Sequence, residues 1–131
     1  MIKYIMSIAA VLAALTVTAT AGMMLDGPKP YDANAFAMAK AEGKTVVLHF
    51  HADWCPVCKK QAEVMPQVMD RKEFQEVVVF KVNYDTESEL KQQLGITQQS
   101  ALVVFKGEKE VGRGQDLTTA AAISELLEKG L

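Results

Sequence analysis

The chain has 131 residues, with 14 Lys and Arg against 16 Asp and Glu, 2 His and 2 Cys. That length suits one domain, and 50% apolar against 23% charged residues suits a packed globule rather than a disordered chain. A net charge of −2 offers no basic excess to neutralise phosphates, so nucleic acid is not an expected partner. Two Cys can form one bridge, one redox pair or half a metal site.

Residues Met1 to Ala21 carry one charge, Lys3, then an apolar run from Tyr4 to Val17, then Ala19-Thr20-Ala21. A positive start, an apolar middle and small residues at the end form a secretory signal, with the cut expected between Ala21 and Gly22. If the signal were kept, its uncharged stretch is long enough to anchor the chain in a bilayer. Cleavage leaves a chain with no stable membrane association, expected in the periplasm. Residues 22–31, with Gly27, Pro28 and Pro30, read as a linker. The domain is expected over 32–131.

Asp32 is placed to cap a helix running to Glu42, with Ala35, Phe36, Met38 and Ala39 as its apolar set. Thr45 to His51 (TVVLHFH) is β-branched and apolar and predicts a buried strand. A helix then starts near Cys55 and carries Cys58, Ala62, Met65 and Met69 on one face, with a kink or break expected at Pro66. Val77 to Asn83 predicts a second strand. Thr86 and Glu89 have the spacing of a capping box, before a short helix striped by Leu90 and Leu94 and closed by Gly95. Ala101 to Lys106 and a short strand at Glu110 to Gly112 read as a hairpin about Gly107. A last helix spans Thr118 to Lys129, with Ala120, Ile123, Leu126 and Leu127 inward. Helices alternating with strands imply an α/β fold: a central mixed sheet covered on both faces.

The chemistry is concentrated in His49-Phe50-His51-Ala52-Asp53-Trp54-Cys55-Pro56-Val57-Cys58. Two Cys three apart on a first helical turn lie close enough to bridge. Cys55 would face the free N–H groups at the positive end of the helix, which favours its thiolate. Pro56 suits the first turn because no amide donor is needed there. Cys58, one turn in, would resolve a mixed disulfide formed by Cys55. An inert bridge closing so short a loop would stabilise little. A metal site remains open at this point, with Cys55 and Cys58 as soft ligands for Cu(I) or zinc and His49 or His51 as a third.

VVLHFHADWCPVCK resembles the active-site strand and loop of the thioredoxin superfamily, and its ADWC is similar to the thioredoxin-like domain of membrane thiol–disulfide transporters. FKVNYD resembles the next strand of that fold, and LGITQQSALVVFKGEKEVGR the segment around its cis-proline and final hairpin. The resemblance covers about Asp32 to Lys129 and is nearest to exported bacterial members. It implies the thioredoxin fold and dithiol–disulfide exchange with protein substrates and a redox partner protein, without a bound cofactor. By resemblance, Trp54 and Pro56 shape the docking surface, and Gln99 and Ser100 form its backbone. Ser100 stands where the family has its cis-proline, so a trans Gln99–Ser100 bond is expected, and the Ser100 hydroxyl could bond the Cys55 sulfur. His49 stands where the family has a buried Asp that takes the resolving thiol's proton, and Lys81 where that Asp has a Lys neighbour. His49 could accept the proton instead. His51 would line the rim or cover the end of the sheet. No motif indicates oligomerisation, so a monomer is expected.

Overall fold

The computed structural model describes residues 27–131. The expected signal and the first half of the expected linker, residues 22–26, lie outside the described residues. The elements run β1 (Lys29–Pro30), α1 (Ala33–Ala41), β2 (Thr45–His51), α2 (Pro56–Met69), a 3-10 turn (Lys72–Phe74), β3 (Val78–Asn83), α3 (Ser88–Leu94), β4 (Ala101–Lys106), β5 (Lys109–Gln115) and α4 (Ala120–Glu128). The five strands form one sheet in the order β1-β3-β2-β4-β5. β1, β3 and β2 are parallel, while β4 pairs antiparallel with both β2 and β5. This is the mixed sheet expected from the sequence, with one strand more. The stretch read as linker ends in β1, which pairs Lys29 and Pro30 with Phe80 and Lys81.

The sheet separates two cores, because successive side chains on a strand point to opposite faces. Val46, Leu48 and Phe50 of β2 pack with Phe80, Val82, Val103 and Phe105 against Phe36 and Ala39 of α1 and Leu90 of α3. Val47, Val79, Leu102 and Val104 pack on the other face against Val64, Met65 and Val68 of α2 and Ile123, Leu126 and Leu127 of α4. Phe74 of the 3-10 turn, which the sequence reading passed over, is fully buried in this second core. By the same alternation His49 and His51 face α2.

Several local expectations need correction. Met38 is 62% exposed, because only Phe36 and Ala39 of α1 turn inward. On α2 the buried positions are Cys58, Gln61, Val64, Met65 and Val68, so the inward face is centred away from Ala62, which is exposed. The helix runs on through Pro66 without a break. No capping box forms at Thr86: the residue before α3 is Glu87, which makes no side-chain cap bond. β5 extends over seven residues rather than three. Asp32 does cap α1, accepting from the Ala35 amide at 2.7 Å, and Thr119 caps α4 in the same way.

The outer margins of the sheet are unlike its centre. β1 is two residues long and ends in Pro30. β5 is mostly exposed, carries Lys109, Glu110 and Arg113, and meets β4 through a register irregularity between Val104 and Phe105.

Candidate active site

β2 delivers the chain to Ala52, and a tight turn, with the Cys55 amide bonded to the Ala52 carbonyl at 3.1 Å, starts α2. Cys55 is the N-cap of that helix, with extended backbone angles, and Pro56 occupies its first turn. The Cys55 sulfur accepts a hydrogen bond from the Cys58 amide at 3.1 Å. A sulfur here takes the place of the usual Ser or Asp oxygen at a helix start. It uses one of the N–H groups that a helix start leaves free. The two cysteines are not bridged, and both are buried. With Ala52 they form a small cluster against which Val57 and Tyr84 pack. The Tyr84 hydroxyl donates to the Thr97 carbonyl at 3.0 Å, tying the β3–α3 loop to the loop that leads to β4.

Cys58 is fully buried, and its thiol points at the Phe50 carbonyl, 3.8 Å away. Burial pushes this thiol up to about 11, helped by the neighbouring Cys55 sulfur, while the backbone N–H groups of Ala52 and Ser100 oppose the rise. The pair is therefore asymmetric: one sulfur anchors a helix end, and the other keeps its proton in the interior.

Ser100 is 1% exposed and sits against this pair, its amide donating to the Phe50 carbonyl at 2.8 Å. No peptide bond among the described residues is cis, in line with the expectation for Gln99–Ser100. The Ser100 hydroxyl does not bond the Cys55 sulfur. It is engaged by the Asp116 carboxylate and lies 3.1 Å from the Gln115 amide. Hydrogen bonds to Asp116 from the Ser100 hydroxyl and, at 3.1 Å, from the Gln115 amide hold its carboxyl below the usual range, Ser100 being the larger cause. Ser100 (φ 64°) and Asp116 (φ 56°) are both left-handed, a conformation that non-glycine residues adopt only when their surroundings hold them there. The bond from the Asp116 amide to the Ser100 carbonyl, at 3.3 Å, joins them. The Gln99 carbonyl is occupied too, accepting from the Gln115 side chain at 2.6 Å.

His49 is 2% exposed, and its Nε2 lies 3.0 Å from Oε1 of Gln61. Burial lowers its pKa to about 4; the hydrogen bond to Gln61 works against this, and His51 and Lys81 add to it. His49 is thus a neutral imidazole at neutral pH. Lys81 lies directly across from it on β3. His51 is also buried, its Nε2 3.1 Å from Asp53 Oδ1, and its Nδ1 has no partner. Trp54 is 59% exposed, with its ring N–H bonded to Asp85 at 3.0 Å. Gln61, Tyr84, Asp85, Gln115 and Asp116 were missed from the sequence. Only Tyr84 and Asp85, in the FKVNYD segment, had a signal nearby. Among the described residues no group of three or more His, Cys, Asp or Glu could hold a metal ion, so the metal reading gains no support.

A family model for thioredoxin matches residues 29–129. The chain belongs to the thioredoxin family. A thioredoxin-like protein of Fusarium culmorum is 38% identical over 90 residues, which cover 63% of this chain and 74% of that one. Thioredoxin 1 of Nostoc is 31% identical over 86 residues, 66% of this chain and 79% of its own. Among solved structures, Trxlp from Edwardsiella tarda superposes with a TM-score of 0.74 at 37% identity, over 77% of this chain and 98% of its own. The fold is the thioredoxin fold, and this thioredoxin-family chain is a thiol–disulfide oxidoreductase. Its expected substrate class follows from the family at the same coarse level: protein disulfides.

Proposed function

We propose that the chain is exported and exchanges disulfides with protein partners through Cys55 and Cys58. The observation that carries this is the Cys55 sulfur at the start of α2, accepting from the Cys58 amide while Cys58 holds its proton one turn deeper. The Cys55 thiolate attacks a partner disulfide, forms a mixed disulfide and releases one partner thiolate. Cys58 then loses its proton and attacks the Cys55 sulfur. The Cys55–Cys58 disulfide forms and the second partner thiolate leaves, so two electrons pass to the partner. Run backwards, the same steps oxidise a partner dithiol. Trp54 and Pro56 flank the entry, and Gln99 and Ser100 form the backbone opposite.

His49 takes the Cys58 proton in the second step and returns it to solvent as the partner thiolate is protonated. A group held at about 4 is a weak base toward a thiol at about 11. The imidazolium is therefore a short-lived species that passes its proton on as soon as the partner thiolate leaves. In the mixed disulfide the Cys55 sulfur is neutral, which removes one cause of the high Cys58 value and narrows the gap.

The test is mixed-disulfide trapping. With Cys58→Ser, a model protein disulfide should accumulate as an adduct on Cys55; with Cys55→Ser, no adduct should form and insulin reduction should cease. Turnover surviving Cys55→Ser would end this reading. Export is checked separately, by fractionation and the N-terminal mass of the protein, which should begin at Gly22.

A further inference from the structure

Gln61 stands outside the two-cysteine chemistry, yet it is a fully buried amide on the inward face of α2. Its Nε2 donates to the Ser100 carbonyl at 3.0 Å, and its Oε1 lies 3.0 Å from His49 Nε2. A carbonyl can only accept, so the Gln61 atom that faces Ser100 has to be the NH2 group. The Gln61 oxygen therefore faces His49, and an oxygen without hydrogens can only accept. His49 Nε2 must carry a hydrogen. Because burial keeps the ring neutral, its single ring hydrogen is the one on Nε2, and the lone pair falls on Nδ1. Nδ1 is thus the ring nitrogen able to accept a proton. Cys58 and Gln61 are three residues apart on α2, so they are neighbours on one helix face, and Gln61 meets His49 of β2 from that face.

We propose that Gln61 is a positioning residue for thiol exchange: oriented by the Ser100 carbonyl, its amide fixes His49 as the Nε2–H tautomer and leaves Nδ1 free to take the proton of Cys58. This rests on the reading of His49 as proton acceptor. The same amide ties that acceptor to the loop on which a partner chain would dock, since the Ser100 carbonyl also accepts from the Asp116 amide. Atoms balance without any further reagent: the Cys58 proton moves to His49 Nδ1, the Cys58 electron pair forms the new S–S bond, and the Cys55–partner S–S bond breaks.

The charged or titratable groups around His49 are His51, with its ring centre 5.4 Å away, Lys81 across the β2–β3 pair and, on α2, the Cys58 thiol whose proton it is proposed to take. α2 also contributes the neutral Gln61, and β4 places Leu102 opposite. Neither His51 nor Lys81 is placed to choose between the two tautomers as Gln61 is.

The test combines two readouts on the reduced full-length protein. Long-range ¹H–¹⁵N NMR at neutral pH should show His49 wholly as Nε2–H, with that ring proton protected from exchange. Gln61→Met should lose the protection. It should also slow closure of the Cys55–Cys58 disulfide from a trapped mixed disulfide roughly tenfold, below the 10²–10⁴-fold that a whole general base contributes. The first attack by Cys55 should be unaffected. Gln61→Glu loses the donor toward the Ser100 carbonyl and sets a carboxylate beside His49, so it should favour a ring protonated on both nitrogens and should not restore the rate of closure. An Nδ1–H ring in the wild type, or closure at the wild-type rate in Gln61→Met, would overturn the proposal. His49→Leu separates the two ideas. If it closes at the wild-type rate, His49 is not the acceptor; if it is slow while Gln61→Met is not, only the role of Gln61 fails.

Discussion

His49→Gln isolates the cost of keeping an imidazole inside the sheet–helix interface. In the folded chain burial holds His49 at about 4, against 6.5 for an exposed histidine. Between those values the unfolded chain binds a proton that the folded chain refuses. Stability is therefore complete above pH 6.5 and falls as the pH drops toward 4. The slope is about 1.4 kcal/mol per pH unit and the total about 3 kcal/mol, a large share of what a domain of this size possesses. Glutamine is neutral throughout and keeps an N–H for the Gln61 oxygen, so His49→Gln lacks this slope. His51 and Lys81 are present in both proteins, and their contributions largely cancel in the difference. Urea unfolding of both reduced proteins at a series of pH values from neutral to acid gives the difference directly. The variant should gain on the wild type as the pH falls. A flat difference across that window would refute the argument that His49 is buried neutral.

Three further outcomes follow from the site and its frame. Iodoacetamide at neutral pH should label Cys55 before Cys58, because the Cys58 thiol is held at about 11 and is fully buried; peptide mass spectrometry that finds Cys58 labelled first would contradict the asymmetry. Ser100→Pro, though it restores the residue usual in the family, should destabilise. Proline cannot adopt φ 64° and has no N–H for the Phe50 carbonyl, so unfolding should show a loss of at least about 1–3 kcal/mol, and wild-type stability would mean the loop had rebuilt. Gly130→Ala should cost about 1–3 kcal/mol through overpacking, since a Cβ there would lie 2.5 Å from Thr45 Cγ2 and 3.1 Å from Val104 Cγ1, two stiff side chains of the sheet. Thiol reactivity should be unchanged in that variant, which alkylation rates can verify.

The strands were legible because β2, β3 and β4 are dominated by β-branched and apolar residues, as mostly buried strands require, despite His49 and His51 in β2 and Lys81 in β3. The cysteine pair was legible because strand, turn and helix start are all encoded within a dozen residues. What escaped is what depends on distant pairing. β1 is two residues of a Gly- and Pro-rich stretch and becomes a strand only because Phe80 and Lys81 lie alongside. β5 contains Gly112 and Gly114, which broke its pattern; a Cβ at Gly114 would lie 2.5 Å from Leu117, so the side chain is missing there to make room. Gln61 was passed over because an amide on an apolar helix face carries no periodic signal. Its place becomes intelligible only once His49 and the Ser100 carbonyl are seen on either side of it. The Ser100–Asp116 contact joins residues sixteen apart and had no local signature at all.

The margins of the sheet bear on how another polypeptide can approach. A visiting strand that tried to extend the sheet would meet Pro30, which offers no amide hydrogen, on one side. On the other it would meet Lys109, Glu110 and Arg113 on a strand whose pairing with β4 is already irregular. Backbone recruitment is thus discouraged along both flanks. Under the proposed function a client chain is left with the end of the sheet that carries Trp54 and Cys55, so exclusion along the flanks would add to the selectivity of attack at the sulfur.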